Sequence, residues 1–232
     1  IAAGARFDDR VTGKISAFAN RATIVHIDID RSSISKSVRS DLGVHGYVKP
    51  VLEAVLPLVK QAEHTEWLEK VNRWKERFPF TYPKNDDALM PQFVIEQIDA
   101  VSEGKAVVVT DVGQHQMWAA QFFRYTRPRN FITSGGLGTM GFGLPAAIGA
   151  QFGRRGAPVV CVTGDGGVQM NFQELVVAVE HQIPVVVVIL NNGFLGMVRQ
   201  WQELFYNRRY SGVVLSQKGR APNEQVAETS GY

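Results

Sequence analysis

The chain has 232 residues, 45% hydrophobic and 20% charged, a balance that suits one or two globular domains. Its net charge of +3 is spread without a Lys/Arg block or an aromatic-interleaved basic stripe, which argues against nucleic-acid binding. No apolar stretch approaches a membrane span, no signal-peptide pattern is present, and a lone Cys161 gives no disulfide framework and fits a reducing compartment.

The sequence opens without methionine at Ile1-Ala-Ala-Gly4 and stops at Ser230-Gly-Tyr232, so an internal piece of a longer polypeptide is expected. Gly4-Ala-Arg-Phe-Asp-Asp-Arg10 interleaves two arginines with two aspartates beside a glycine. Such a loop can grip phosphate or ribose, but taken alone it reads as a surface salt-bridge turn. Thr23 to Ile29 reads as a strand with Asp28 and Asp30 near its carboxyl end, where dinucleotide sites often place a ribose-binding acid. Pro50 to Lys60 and His64 to Phe78 read as amphipathic helices, the second with Trp67, Leu68, Val71 and Trp74 on one stripe that is core or docking surface. Phe78 to Asp87 breaks all periodicity and carries two prolines. The expected organisation is therefore one α/β domain over 1–78, a linker over 79–90 and a second α/β domain over 91–232.

Pro91 opens a helix that continues to Ser102, and Ala106 to Asp111 is a buried strand. Beyond it, Val112-Gly-Gln-His-Gln-Met-Trp118 starts a helix to Arg124, which puts Gln114 and His115 at a helix N-terminus suited to an anion. His115 by itself is more often a loop histidine with a hydrogen-bond partner. Phe131-Ile-Thr133 leads into Ser134-Gly-Gly-Leu-Gly-Thr-Met-Gly-Phe-Gly-Leu-Pro145, where Gly136, Gly138 and Gly141 satisfy G-x-G-x-x-G. A nicotinamide or flavin nucleotide site, with Asp165 as the ribose acid, is the rival that this raises. Two features speak against it: Asp165 is flanked by glycines, and Asn191-Asn192 is left without a role.

Val159 to Thr163 and Val185 to Leu190 read as buried parallel strands. Between them Asn171-Phe-Gln-Glu174 has capping-box spacing, which predicts a crossover helix to His181. Both following loops then open at the carboxyl end of the sheet. Asp165 offers a carboxylate, Asn192 a side-chain carbonyl, and the chain just after it a backbone carbonyl. Three oxygens with one charge suit magnesium carrying a diphosphate, and Gly164, Gly166 and Gly167 leave room for phosphate. Gly-Asp-Gly alone would be only a turn; joined to Asn-Asn across one crossover, the metal–diphosphate reading is favoured. Phe194 to Phe205 reads as a helix with Met197 and Trp201 on one face, a pair more often core than pocket, and from Tyr206 the chain turns basic, polar and loop-like.

Gly164-Asp-Gly166, a crossover and Asn191-Asn192 resemble the motif of enzymes that use thiamine diphosphate (ThDP). Gly196-Met-Val-Arg-Gln-Trp201 resembles the acetohydroxyacid synthase (acetolactate synthase) branch, and the likeness runs along nearly the whole chain, to a further helix over 221–229. The resemblance implies a parallel-sheet, Rossmann-like ThDP-binding domain, preceded by the end of an α/β domain that contacts FAD. It implies magnesium on Asp165, Asn192 and the Phe194 carbonyl, with Gln114 and His115 on the diphosphate. Gly138, Thr139, Gly166, Gly167, Leu195 and Gly196 would also contact ThDP, with Met140 as the wedge that bends it. Met197 and Trp201 would face substrate, and Arg6, Asp9, Arg10 and Asp28 would touch FAD. Relatives often carry Gly-Asp where this chain has Gly46-Tyr47, on the adenine side of the flavin.

The implied reaction decarboxylates pyruvate and transfers a hydroxyethyl group to a second 2-keto acid, pyruvate or 2-ketobutyrate, toward valine, leucine and isoleucine. The implied assembly is a homodimer or tetramer with active sites at the subunit interface, with a possible small regulatory subunit, in bacterial cytoplasm or a eukaryotic organelle. In this family a glutamate from the partner subunit's N-terminal domain activates the cofactor. No glutamate here sits in a matching motif, so residues 1–232 alone are expected to be inactive. A sibling ThDP enzyme, a pyruvate oxidase or decarboxylase, and a non-catalytic ThDP-fold module remain the alternatives.

Overall fold

Two buried strands set the architecture of the second half of the chain. In the computed structural model, which describes residues 1–84 and 88–215, every residue of Val107–Thr110 is buried, as are the first five of Val159–Gly164. Side chains alternate between the faces of a strand. Val108, Val160 and Val162 therefore pack one way, with Ile95, Ala119 and Phe123, while Val107, Val109, Val159 and Cys161 pack the other way, with Leu144, Ala147 and Ile148. Continuous Val-rich strands of this kind belong in a parallel sheet covered on both faces.

The chain divides into two compact units, Ile1–Arg77 and Phe78–Tyr232. In the first, β1 (Ala2–Ala3), β2 (Val25–Asp28) and β3 (Leu42–His45) form a parallel sheet in that order. Helices α1 (Asp9–Thr12), α2 (Val48–Val55) and α3 (Thr65–Arg77) complete it. The helix expected from Pro50 starts two residues earlier and gives way to a 3-10 turn over Leu56–Leu58, at Pro57, which has no N–H to continue the ladder. Trp67, Leu68 and Trp74 on α3 are exposed, so within this unit the aromatic stripe is not core. Lys70 Nζ instead sits 5.1 Å from the Trp74 ring centroid and 5.9 Å from that of Trp67.

The second unit runs α4 (Pro91–Val101), β4 (Val107–Thr110), α5 (Gln114–Phe122), β5 (Phe131–Thr133), α6 (Gly143–Gly153), β6 (Val159–Gly164), α7 (Asp165–Val168), α8 (Leu175–Glu180), β7 (Val186–Leu190) and α9 (Gly196–Phe205). Its sheet is parallel with order β5-β4-β6-β7. From β4 the chain goes to the neighbour on one side, and from β6 to the neighbour on the other. The crevice beyond β4 and β6 is thus a topological switch point, where open α/β sheets bind ligands. Phe80 and Tyr82, inside the expected linker, pack their rings on Phe122 of α5, 6.1 and 5.5 Å between centroids. Among the described residues no helix is long and apolar enough to cross a membrane.

Three local expectations are corrected. The strand read as buried over Val185 to Leu190 forms as β7, but at the edge of the sheet, where none of Val186–Leu190 is buried and Val186 and Ile189 are exposed. Asn171 makes no helix-cap bond, because a 3-10 turn (Phe172–Glu174) precedes α8; its Nδ2 donates to the Gly141 carbonyl at 2.8 Å instead. The loop expected from Tyr206 includes a returning segment: Val213 is buried, and 213–215 pairs antiparallel with 193–195. The further helix expected over 221–229 lies outside the described residues.

Candidate functional site

Register decides which loops meet. Gly164 pairs with Leu190 on the last rung of the β6–β7 ladder, so Asp165 and Asn191-Asn192 leave adjacent strands side by side. Asp165 Oδ2 accepts the Gly193 N–H at 3.0 Å, tying the two loops together, and Asn192 Oδ1 accepts the Phe194 N–H at 3.0 Å. Leu195 N–H donates to the Val213 carbonyl and Leu215 N–H to that of Gly193, bracketing a Phe194–Val214 bridge. In a non-hydrogen-bonded pair of this kind both backbone groups of the residue point away from the partner strand. The Phe194 carbonyl therefore turns to the same side as its N–H, toward Asn192.

Asp165, Asn192 and Phe194 all line one cleft, which encloses about 450 Å³ including its open mouth. Its other walls are Val112 to His115 at the start of α5, Met140, Gly164 to Gly167, and Leu195 to Val198. Met140 and Met197 thus reach the cleft, whereas Gly138 and Thr139 are exposed and outside its lining. Trp201 also lies outside that lining; it is 41% exposed, with its ring 4.9 Å from that of Phe205.

His115 is buried between glycines: a Cβ on Gly113 would lie 2.7 Å from its ring, and one on Gly164 3.2 Å from it. Burial pushes its pKa down to about 4, so the imidazole is neutral at pH 7. Its Nε2 is buried, with no hydrogen-bond partner among the described residues, at the N-terminal turn of α5. Because the ring already donates to the Asp111 carbonyl, neutral Nε2 is an acceptor; the N–H groups at the start of α5 fit an anionic ligand, and Nε2 would join them by taking up a proton that the ligand's charge favours. Gln114 has a different setting. Its Nε2 donates to Gln200 Oε1 at 3.1 Å, and a Cβ on Gly196 would come within 2.2 Å of its Oε1, so it bridges the start of α5 to α9. Gln200 was inside the motif quoted above, yet nothing in its spacing signalled this partner.

Among the described residues no three His, Cys, Asp or Glu gather to hold a metal ion. A cation at Asp165 would rely on neutral carbonyls and on oxygens of its ligand, which suits magnesium with a diphosphate. In the first unit, the carboxyl ends of the parallel strands bring forward Arg6 after β1, Asp28 in β2 and Tyr47 after β3. Arg6 Nε is held by Asp8 Oδ2 at 2.8 Å, Arg10 lies 3.7 Å from Asp9, and Asp28 Oδ1 accepts the Asp30 N–H. Tyr47 is 68% exposed and leaves the N-terminus of α2 without a side-chain cap. An acid, two arginines and an uncapped helix start are compatible with a nucleotide edge.

Residues 111–232, over half of the chain, match the family profile described as "Thiamine pyrophosphate enzyme, C-terminal TPP binding domain". The chain belongs to the thiamine pyrophosphate enzymes. Residues 1–55 match the profile of the central domain of the same enzymes. Among curated thiamine pyrophosphate enzymes, the chain is 46% identical over 217 residues to the acetolactate synthase isozyme 3 large subunit of Escherichia coli K12, covering 90% of this chain and 38% of that protein. It is 49% identical over 215 residues to the acetolactate synthase large subunit of Parasynechococcus marenigrum WH8102, covering 91% and 34%. It is 46% identical over 218 residues to an acetolactate synthase of Mycobacterium bovis, covering 91% and 35%. The chain therefore spans little more than a third of the length of these relatives.

Proposed function

We propose that residues 1–232 are part of the catalytic subunit of an acetolactate synthase. Such an enzyme decarboxylates pyruvate and joins the remaining two carbons to a second 2-keto acid, giving acetolactate from pyruvate or acetohydroxybutyrate from 2-ketobutyrate. The single observation that carries the reading is the cleft beyond β6 and β7. It gathers Asp165, Asn192, Phe194 and Met197, in a chain 43–49% identical to proteins named acetolactate synthase.

Asp165, Asn192 and the Phe194 carbonyl would hold magnesium. The first N–H groups of α5, with Gln114, would receive the diphosphate, whose charge would favour a protonated His115 donating from Nε2. Gly166 and Gly167 would let it approach, and Met140, Leu195 and Gly196 would pack on the rest of the cofactor. Bound there, ThDP supplies the electron sink that loss of CO2 requires. Met197 would face the substrate, with Trp201 further along the same helix face shaping the choice of acceptor. Gly138 and Thr139 would contribute through the loop that presents Met140. FAD would meet Arg6, Asp9, Arg10 and Asp28. The working assembly would be a dimer or tetramer with a shared active site, open to a small regulatory subunit.

The test is acetolactate formation from pyruvate with ThDP, magnesium and FAD, on the full-length protein and on residues 1–232 alone. The reading expects product from the full-length protein and none from residues 1–232, which carry no glutamate matched to the activating position. Acetaldehyde or acetate in place of acetolactate would make the protein a sibling decarboxylase or oxidase. Turnover by residues 1–232 would overturn the account of the activating acid.

A further inference from the structure

One buried carboxylate touches three of the four loops around the cleft, and neither the sequence motifs nor the metal–diphosphate reading uses it. Asp111, at the end of β4, is 1% exposed. Its Oδ1 accepts the Val112 N–H at 2.8 Å and the Gly141 N–H at 3.0 Å; its Oδ2 accepts the Gly143 N–H at 2.8 Å. The first bond shapes its own loop, which carries Gln114 and His115. The other two cross about thirty residues to the glycine-rich loop on either side of Phe142, just after Met140. The third loop fits around the same group: a Cβ on Gly167 would come within 2.5 Å of Asp111 Oδ1, and one on Gly143 within 2.7 Å of the Asp111 backbone nitrogen. What requires glycine at Gly167 is therefore Asp111.

An ionised carboxylate only accepts hydrogen bonds, and three backbone donors converge on this one. An asparagine of the same shape would aim its NH2 at one or two of those N–H groups, whichever way it is turned. Gly141 has φ +86°, a conformation that L side chains rarely adopt, and its carbonyl is gripped from the other side by Asn171 Nδ2. The turn is thus fastened at both backbone groups of one residue.

We infer that Asp111 is a positioning residue that fixes the glycine-rich loop, and Met140 with it, against the His115 and Asp165 loops before the cofactor binds. The inference rests on the reading of the cleft as the ThDP–magnesium site. The donors Asp111 satisfies are Val112 in the His115 loop, Gly141 in the glycine-rich loop next to Met140, and Gly143 at the first turn of α6, so it ties two loops and a helix start together rather than filling space in the sheet.

The test uses the full-length protein and compares Asp111→Asn with Asp99→Asn. Asp99, on α4, is also a buried carboxylate; it accepts from Arg124 Nε, away from the cleft lining. Thiamine diphosphate binding with magnesium is measured by calorimetry well below the melting temperature of either variant. Expected is a Kd raised at least about tenfold in Asp111→Asn and within about twofold of wild type in Asp99→Asn. Equal losses in the two variants, or an unchanged Kd in Asp111→Asn, overturn the inference, while failure of the wild-type protein to bind overturns the site reading beneath it. If Asp111→Asn does not fold, hydrogen exchange on the cofactor-free wild-type protein decides. The Gly141 and Gly143 amides are expected to exchange far more slowly than those of the exposed Gly135 and Leu137 in the same loop. Exchange at the same rate as those neighbours overturns the inference.

Discussion

In the second unit, β4 is buried at all four positions and β6 at its first five; in the first unit, β2 is buried only at His26 and Ile27, and three of four residues of β3 are exposed. The helices repeat the contrast. Helices α5 and α6 bring Ala119, Leu144, Ala147 and Ile148 into closed clusters, whereas α2 and α3 contain no buried residue. The unit that builds the cleft thus carries its own two-faced core. The other presents polar groups along a sheet its own residues leave largely open. The loops proposed to hold the cofactor are mounted on the unit with the closed core, as preorganised sites require.

The strongest way to break this comparison is to place a charge in each sheet. Val109→Asp, at a position with no exposure, leaves an unpaired carboxylate in the core and is expected to abolish folding of the second unit by circular dichroism. Leu42→Asp on β3, at a site 56% exposed, is expected to leave the spectrum unchanged. If both behave alike, the contrast between the units is wrong.

A smaller effect comes from pH. His115 has its pKa lowered to about 4 by burial, while the unfolded histidine titrates near 6.5. Between these values the unfolded chain takes up a proton that the folded one refuses, so stability falls as pH drops through that window and is recovered above it. Between pH 7 and 5 the size is about 2 kcal/mol, and His115→Gln is expected to remove that share of the pH dependence in melting curves at those two values. An unchanged slope would mean that His115 is protonated or solvated in the native state. The smallest effect belongs to Arg6→Gln in the first unit. The pair with Asp8 is solvent-exposed, and although the guanidinium holds the Asp8 carboxyl below its usual range, no measurable shift in melting temperature is expected.

How much of this was legible in the sequence follows the same division. Strands β4, β6 and β7 announce themselves as short apolar runs rich in β-branched residues, and Gly164-Asp-Gly166 with Asn191-Asn192 marks the two strand ends that meet. Strand β3 was invisible because Leu42-Gly-Val-His45 offers neither an apolar run nor clean alternation, and β1 is two alanines. Asn171 misled for a physical reason: the spacing to Glu174 is the same whether the amide caps a helix or reaches Gly141 thirty residues away. Asp111 and Gln200 were overlooked on similar grounds, since their partners lie far along the chain. The return of 213–215 onto 193–195 also depends on long-range pairing that polar composition conceals.

The most direct test of the central claim is a calorimetric titration of thiamine diphosphate into the full-length protein, with magnesium and then with EDTA, for wild type and Asp165→Asn. The account predicts saturable binding by wild type with magnesium, and its loss either in EDTA or on removal of the Asp165 carboxylate. Binding of equal strength without magnesium, or by Asp165→Asn, would show that the cleft beyond β6 and β7 does not hold the cofactor through a metal at Asp165.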